Sequence, residues 1–302
     1  MRRLLLLLFA VSLLISCKKE ETVFEDNIIP PYNEMPTILV QNYVNRLFID
    51  LLGREPTDSE METEVNALED ASLSSNSRTN LVNKLMFDTS PLPGDSSYNV
   101  AYFNKLYENL KARFLDGASE GTLDFYYQLY YNQALADSIN GNLTGYEINK
   151  TEANKIQDVK MSQYQLRTES IEIDEVTQRM LYNAVYDEIN MNSFNFINAT
   201  FDDLFFRFPT QAEFDDAYEV VEFNQPNIVM GEIANNKIDY VTILINTSEF
   251  DEGMVIWAYE SLLTRSPNSN EVFDLIANFQ DTKDFQRVQR LIMINDEYAG
   301  FD

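Results

Sequence analysis

The chain has 302 residues, with 49 acidic and 22 basic side chains, a net charge of −27 and no histidine. That charge repels nucleic acid, and the missing imidazole removes Ser–His and Cys–His nucleophilic catalysis together with the usual ligands of zinc, copper and haem, so no cofactor or metal site is expected. An apolar fraction of 45% is too high for a disordered chain, and one cysteine allows no disulfide framework, so packing must stabilise the fold.

Residues 1–17 read MRRLLLLLFAVSLLISC. Arg2 and Arg3 form a basic n-region, and residues 4–14 an apolar run too short to span a bilayer comfortably. Leu14-Ile15-Ser16-Cys17 resembles the lipobox of bacterial lipoproteins. The resemblance implies a signal peptide over residues 1–16, cleavage after Ser16, and diacylglycerol and palmitate on Cys17, the sole cysteine. Such chains contribute ~0.8 kcal/mol per buried methylene to membrane anchoring. Lys18, Lys19, Glu20 and Glu21 follow, and basic then acidic residues after the acylated cysteine resemble the surface-export signal of Bacteroidetes lipoproteins. That implies an outer-membrane protein exposed at the cell surface; the alternative is a merely solvated tether. The lipidated tether takes in residues 17–37, where Pro30, Pro31 and Pro36 disfavour helix. Twenty flexible residues have a typical end-to-end distance of roughly 25 Å.

The body contains an internal repeat, with copies over residues 38–94, 193–250 and 251–302. Residues 43–60 read YVNRLFIDLLGREPTDSE, residues 196–213 FINATFDDLFFRFPTQAE, and residues 254–271 MVIWAYESLLTRSPNSNE. Without gaps they share an aromatic (Phe48, Phe201, Tyr259), leucine (Leu51, Leu204, Leu262), arginine (Arg54, Arg207, Arg265), proline (Pro56, Pro209, Pro267) and glutamate (Glu60, Glu213, Glu271). In the first copy Val40, Tyr43, Val44, Leu47, Phe48, Leu51 and Leu52 draw one apolar helical stripe. The proline ends that helix. Thr57, Thr210 or Asn268 then caps a second helix, with the glutamate three residues on completing a capping box. The recurring arginine is expected to be structural, satisfying carbonyls at the end of the first helix. A third apolar segment closes each unit. Residues 238–245, IDYVTILI, look like a strand by β-branching, but their counterpart in the third copy has helical spacing, so helix is expected. The fold class is therefore all-α: repeated helix–proline corner–helix units packed into one or two bundles.

The pattern resembles two families of unknown function. One is the helical domain accompanying planctomycete-type cytochrome proteins, to which residues 47–60 are most similar; the other is a helical repeat of bacterial secreted and surface-layer proteins. The resemblance implies fold and surface context, without an activity, and the haem-binding motif of the cytochrome partners is missing here.

An aromatic-rich helical insert, residues 95–192, separates the first two copies. Phe103, Leu106, Tyr107, Leu110 and Phe114 mark an amphipathic helix ended by Gly117 and Gly121. A possible calcium loop at 116–121 fails, having Ala118 where an oxygen ligand is needed. Phe125, Tyr126, Tyr127, Tyr130 and Tyr131 lie all round one helix, which favours burial on more than one side; exposed, they would form a stacking or partner-binding surface. Residues 137–145 read as a turn, in which Asp137-Ser138-Ile139 resembles the O-glycosylation motif of exported Bacteroidetes proteins, with Ser138 as acceptor.

These features point to a non-enzymatic outer-membrane lipoprotein, lipid-anchored and surface-exposed. Its expected role is accessory or assembly subunit to another outer-membrane protein, a β-barrel or lipoprotein. The alternative is a surface glycan-capture lipoprotein, and a carboxylate-based hydrolase ranks third because no acidic pair stands out. Replacing Cys17 with Ser should release soluble protein or leave uncleaved precursor on fractionation. Mature protein still wholly in the membrane fraction would overturn the lipid anchor.

Overall fold

The computed structural model describes residues 35–92 and 96–301. Residues 1–16, Cys17, Lys18, Lys19, Glu20 and Glu21 lie outside the described residues, as does most of the tether. The first unit comprises α1 (Thr37–Leu52), α2 (Asp58–Asp70) and α3 (Ser75–Phe87). Next come α4 (Tyr98–Phe114), α5 (Glu120–Ile139), α6 (Leu143–Arg167), α7 (Ile173–Leu181) and α8 (Ala184–Asn190). The second unit holds α9 (Ser193–Phe205), α10 (Gln211–Phe223), β1 (Asn227–Val229), β2 (Glu232–Ala234) and α11 (Lys237–Ile245). The third holds α12 (Ser248–Leu263), α13 (Ser269–Thr282), α14 (Phe285–Met293) and α15 (Asp296–Ala299). Among the described residues the fold is all-α apart from one antiparallel hairpin, and these residues cluster as a single unit.

The apolar stripe of the first copy is the buried face of α1: Val40, Tyr43, Val44, Leu47, Phe48, Leu51 and Leu52 are all buried. Residues 238–245 are helical within α11, which buries Tyr240, Val241, Ile243, Leu244 and Ile245. Burial on that scale outweighs the strand propensity of β-branched residues. The β-hairpin was not expected. It turns through Met230 and Gly231, both at positive φ (49° and 91°), the geometry a tight two-residue connection requires.

The three corners share one construction. The first helix ends on a left-handed residue, Gly53 (φ 71°), Phe206 (φ 56°) or Thr264 (φ 55°). The arginine that follows forms a bidentate fork on the capping-box glutamate: Arg54 on Glu60 at 2.7 and 2.9 Å, Arg207 on Glu213 at 2.8 and 3.0 Å, Arg265 on Glu271 at 2.7 and 2.9 Å. One oxygen of that carboxylate also accepts the N-cap amide of Thr57, Thr210 or Asn268, each at 2.7 Å. The guanidinium rests over the shared aromatic, 5.4 Å from the Phe48 centroid, 5.1 Å from Phe201 and 5.2 Å from Tyr259. Its carbonyl partner is the next residue, Glu55, Phe208 or Ser266. The expectation that these arginines satisfy the end of the first helix is thus corrected: the left-handed residue has already turned the chain, and the nearest strong acceptor is the glutamate. In the second and third units a further carboxylate joins, Glu249 on Arg207 and Glu297 on Arg265. Glu249 lies in the first turn of α12 and Glu297 in α15, so the second corner grips the start of the third unit and the third corner grips the last helix of its own unit.

The first unit and the first helix of the insert both pack on the third unit. The Tyr43 hydroxyl donates to the Met293 carbonyl at 3.2 Å, and Tyr102 to Gln289 Oε1 at 2.6 Å. Arg46 donates to the carbonyls of Tyr298 (2.8 Å) and Leu262, and Tyr298 donates to Asp50 at 2.7 Å. The second and third units meet where α9 crosses α12 at Gly253. A Cβ there would stand 1.8 Å from the Leu204 carbonyl oxygen, so only glycine permits the approach.

Two predictions follow from this packing. Gly253→Ala should destabilise the fold by roughly 1–3 kcal/mol through overpacking; thermal unfolding unchanged within error would contradict the crossing geometry. The second concerns pH. The Arg207 guanidinium holds the Glu213 carboxyl down at about 2, and Glu60, despite the desolvation that opposes it, is also held at about 2 by Arg54, the Thr57 amide and Tyr98. Stability from these depressed groups is present above about pH 4.5 and is lost as pH falls through about 2. Burial pushes Asp203 up to about 6, so its contribution has the opposite sign and is lost as pH rises through that value. Stability should therefore peak near about pH 5. Arg207→Ala should cost roughly 1–3 kcal/mol at that pH and flatten the acid limb, as read from denaturant unfolding at several pH values.

Candidate functional site

Helices α5 and α6 form an antiparallel hairpin whose base packs on the body and whose outer part packs on itself. At the base, Leu123, Ile156, Val159 and Leu166 enter the main core, with Tyr126 and Tyr127 half-buried against it. Lys160 pairs with Asp124 across the two helices, and Lys155 pairs with Glu152 while its ammonium sits 3.7 Å from the Tyr182 ring centroid. Toward the tip the fully buried residues of the helix–helix seam are small, Ala134 on α5 and Ala153 on α6. At 1.5 Å per residue α5 is about 30 Å long, so its outer half stands clear of the main core as an arm.

The aromatic run divides between two faces of α5. Leu123, Tyr126, Tyr127, Tyr130 and Ala134 turn inward at helical spacing, all buried or half-buried. Burial, with nearby acidic groups, raises the hydroxyl pKa of Tyr126 and of Tyr130. Phe125 and Tyr131 remain exposed, at 62% and 50%. The expectation of burial on more than one side is corrected: only the face toward α6 and the body is covered, because no further element among the described residues packs on the outside of α5. Tyr131 stacks on Tyr127 with centroids 5.8 Å apart, giving one flat aromatic surface at the hairpin's edge.

The outward face carries Phe125, Gln128, Leu129, Asn132, Leu135, Ala136 and Ile139, an i, i+3, i+4, i+7 progression that defines one helix stripe. Leu135 (51%), Ile139 (77%), Leu143 (72%) and Ile148 (59%) make the tip apolar. About half of the exposed large apolar side chains among the described residues lie on this hairpin. Single exposed leucines are ordinary; a stripe plus a tip on one projecting element is the pattern of an interaction surface.

Ser138 is exposed, but it occupies the last turn of α5 and not a loop. The turn is confined to residues 140–142. Asp137 holds it there by accepting from the side-chain amides of Asn142 and Asn149, both at 2.8 Å, while Asn142 caps α6 through the Gly145 amide. Gly121 likewise lies inside α5, which opens at Glu120 under a Ser119 cap; the break falls at Asp116 and Gly117, both at positive φ. The sequence reading missed the outward stripe because Gln128 and Asn132 interrupt it; the spacing of Leu129, Leu135 and Ile139 was the available signal.

Among the described residues no helix is long and apolar enough to cross a membrane, and no group of three or more acidic side chains converges as metal ligands would. No protein family, no curated protein and no solved structure matches the chain. The likeness of residues 47–60 to the helical domain of planctomycete-type cytochrome proteins therefore rests on those residues alone.

Proposed function

We propose that the protein is a non-enzymatic lipoprotein, anchored through Cys17 in the outer membrane and exposed at the cell surface, that serves as an accessory or assembly subunit of an outer-membrane protein complex. The observation that carries this reading is the apolar outward stripe and tip of the α5–α6 arm, solvent-exposed in an otherwise strongly acidic chain. An amphipathic helix offering anchors at helical spacing docks in an apolar groove or beside a second helix. The partner is a β-barrel or another lipoprotein of the same membrane. The lipobox resemblance and the residues after it support the location, since a short tether keeps the body within reach of membrane neighbours.

Glycan capture at the cell surface is the second reading, favoured by the stacked Tyr127–Tyr131 pair. The two separate in a pull-down of the native full-length lipoprotein in mild detergent. Assembly predicts stoichiometric co-purification with an outer-membrane protein, abolished by Leu135→Glu with Ile139→Glu. Those positions are exposed, so stability should move by no more than about 0.5 kcal/mol. Undiminished co-purification by the variant would exclude the arm as the docking surface. A monomer that retains soluble glycan would favour capture.

A further inference from the structure

Away from the arm, a cleft of about 320 Å³ opens between the first helix of the insert and the third unit, with Asp50 of the first unit at its edge. Helix α4 forms one wall with Lys105, Asn109 and Arg113, spaced i, i+4, i+8 so that all three share a face. The opposite wall is α12, with Trp257 and Ser261, and Gln289 on α14 closes one side. The only tryptophan in the chain is therefore part of this cleft. Phe285 stacks on its ring at 5.1 Å with an interplanar angle of 9°, which fixes it in place.

The chain has more than two acidic groups for each basic one, yet neither cation of this cleft is in an ion pair with a carboxylate of the described residues. Arg113 is half-buried. Its guanidinium donates to the Asp203 carbonyl, lies 4.3 Å from the Phe206 centroid and 5.7 Å from that of Trp257, and meets Asp203, Glu260 and Asp202 only at longer range. Burial pushes its pKa down, so the site holds the charge at a cost that an incoming anion would relieve. Lys105 lays its stem against Gly53 and has no hydrogen-bonded partner among the described residues. Asp50, the acid of the cleft, is engaged by the Tyr298 hydroxyl and by Arg46 at 3.7 Å. Asn109 and Ser261 make no side-chain hydrogen bond among the described residues, and Gln289 accepts from Tyr102 on its oxygen while its amide nitrogen has no hydrogen-bonded partner among them.

The cleft thus presents two cations without a close ion pair, Lys105 meeting Asp50 and Arg113 meeting Asp203 only at longer range, and several donors without a partner among the described residues, beside an apolar wall. We propose that it binds a small hydroxylated organic acid of about the size of one hexuronate, the carboxylate held by Arg113 and Lys105 and the hydroxyls by Asn109, Ser261 and Gln289. Its volume equals that of about ten waters at ~30 Å³ each, room for one such acid. A forked guanidinium suits a carboxylate, and the ammonium adds a second charge without demanding geometry. The site is separate from the arm, and its occupancy does not depend on whether the arm docks a partner.

Trp257 makes the test direct. Full-length protein in mild detergent is titrated with D-glucuronate, with D-glucose and inorganic phosphate in parallel, reading tryptophan emission and calorimetric heat on the same samples. Glucuronate should saturate with a midpoint at or below about 1 mM, which is ordinary for a small ligand held by a few polar contacts. Glucose should give no saturable response, and phosphate should bind at least about tenfold more weakly. Lys105→Gln, at a partly exposed position with no internal partner, should weaken glucuronate at least about tenfold while leaving the melting temperature in place; Arg113→Gln should weaken it further. Three results would each overturn the proposal: no saturable signal by either readout, glucose binding as well as glucuronate, or undiminished binding by Lys105→Gln. Phosphate binding as tightly as glucuronate would also overturn it, since the hydroxyl contacts would then contribute nothing.

Discussion

The arginine–glutamate fork at each proline corner is the interaction on which the rest of the body depends. An exposed ion pair by itself stabilises little. Here, however, the glutamate also accepts an N-cap amide, while the guanidinium donates to a corner carbonyl and rests on an aromatic ring. The fork therefore satisfies backbone groups that a helix end leaves open, and fixes the direction in which the second helix departs. In the second and third units the additional carboxylates, Glu249 and Glu297, extend the same guanidinium to the following segment. Shared aromatic, arginine and glutamate are one device, which explains why they recur together.

Repeated units can stack open-endedly, but here the last one returns to the first. The Tyr43, Arg46, Tyr102 and Tyr298 contacts, with Arg78 on Asp296 at 2.7 Å, join residues more than 180 positions apart. Closure buries the faces that a further unit would need, and it brings α4 of the insert against α12 of the third unit. The cleft is a product of that closure. Positive groups in a recess of a chain with net charge −27 are the physical basis of the anion binding proposed for the cleft, since a recess focuses the field of the charges that line it.

The insert does two things at once. Its first helix, α4, is core, burying Phe103, Leu106, Tyr107, Leu110 and Phe114. Lys111 is sealed beneath by Glu108 and Glu120 at 2.9 and 2.8 Å. The hairpin that follows leaves much of its apolar surface in solvent. No internal contact among the described residues covers the exposed stripe on this arm, and that is the ground on which the proposed docking role rests on the arm and not on the repeats.

Local chemistry in the sequence was enough to determine the helices, their proline corners and their caps. The buried stripe of α1 and the capping boxes at Thr57, Thr210 and Asn268 follow from periodicity and local spacing, whereas residues 238–245 read as strand locally and only repetition of the unit pointed to helix. The stripe and the capping boxes depend on neighbours within about one or two helical turns, and such neighbours are written side by side. The partners of the arginines were less legible, because a guanidinium chooses among acceptors by distance, and the left-handed residue that swings it onto the glutamate is a different residue type in each corner. The sides of α5 that are covered, and the cations left without a carboxylate, depend on which helices pack where. An aromatic run reads the same whether or not a neighbour covers it, and Lys105 and Arg113 look like ordinary surface charges until α12 lies opposite them. Only tertiary packing could decide those points, since burial and desolvation belong to the assembled core and not to any single segment.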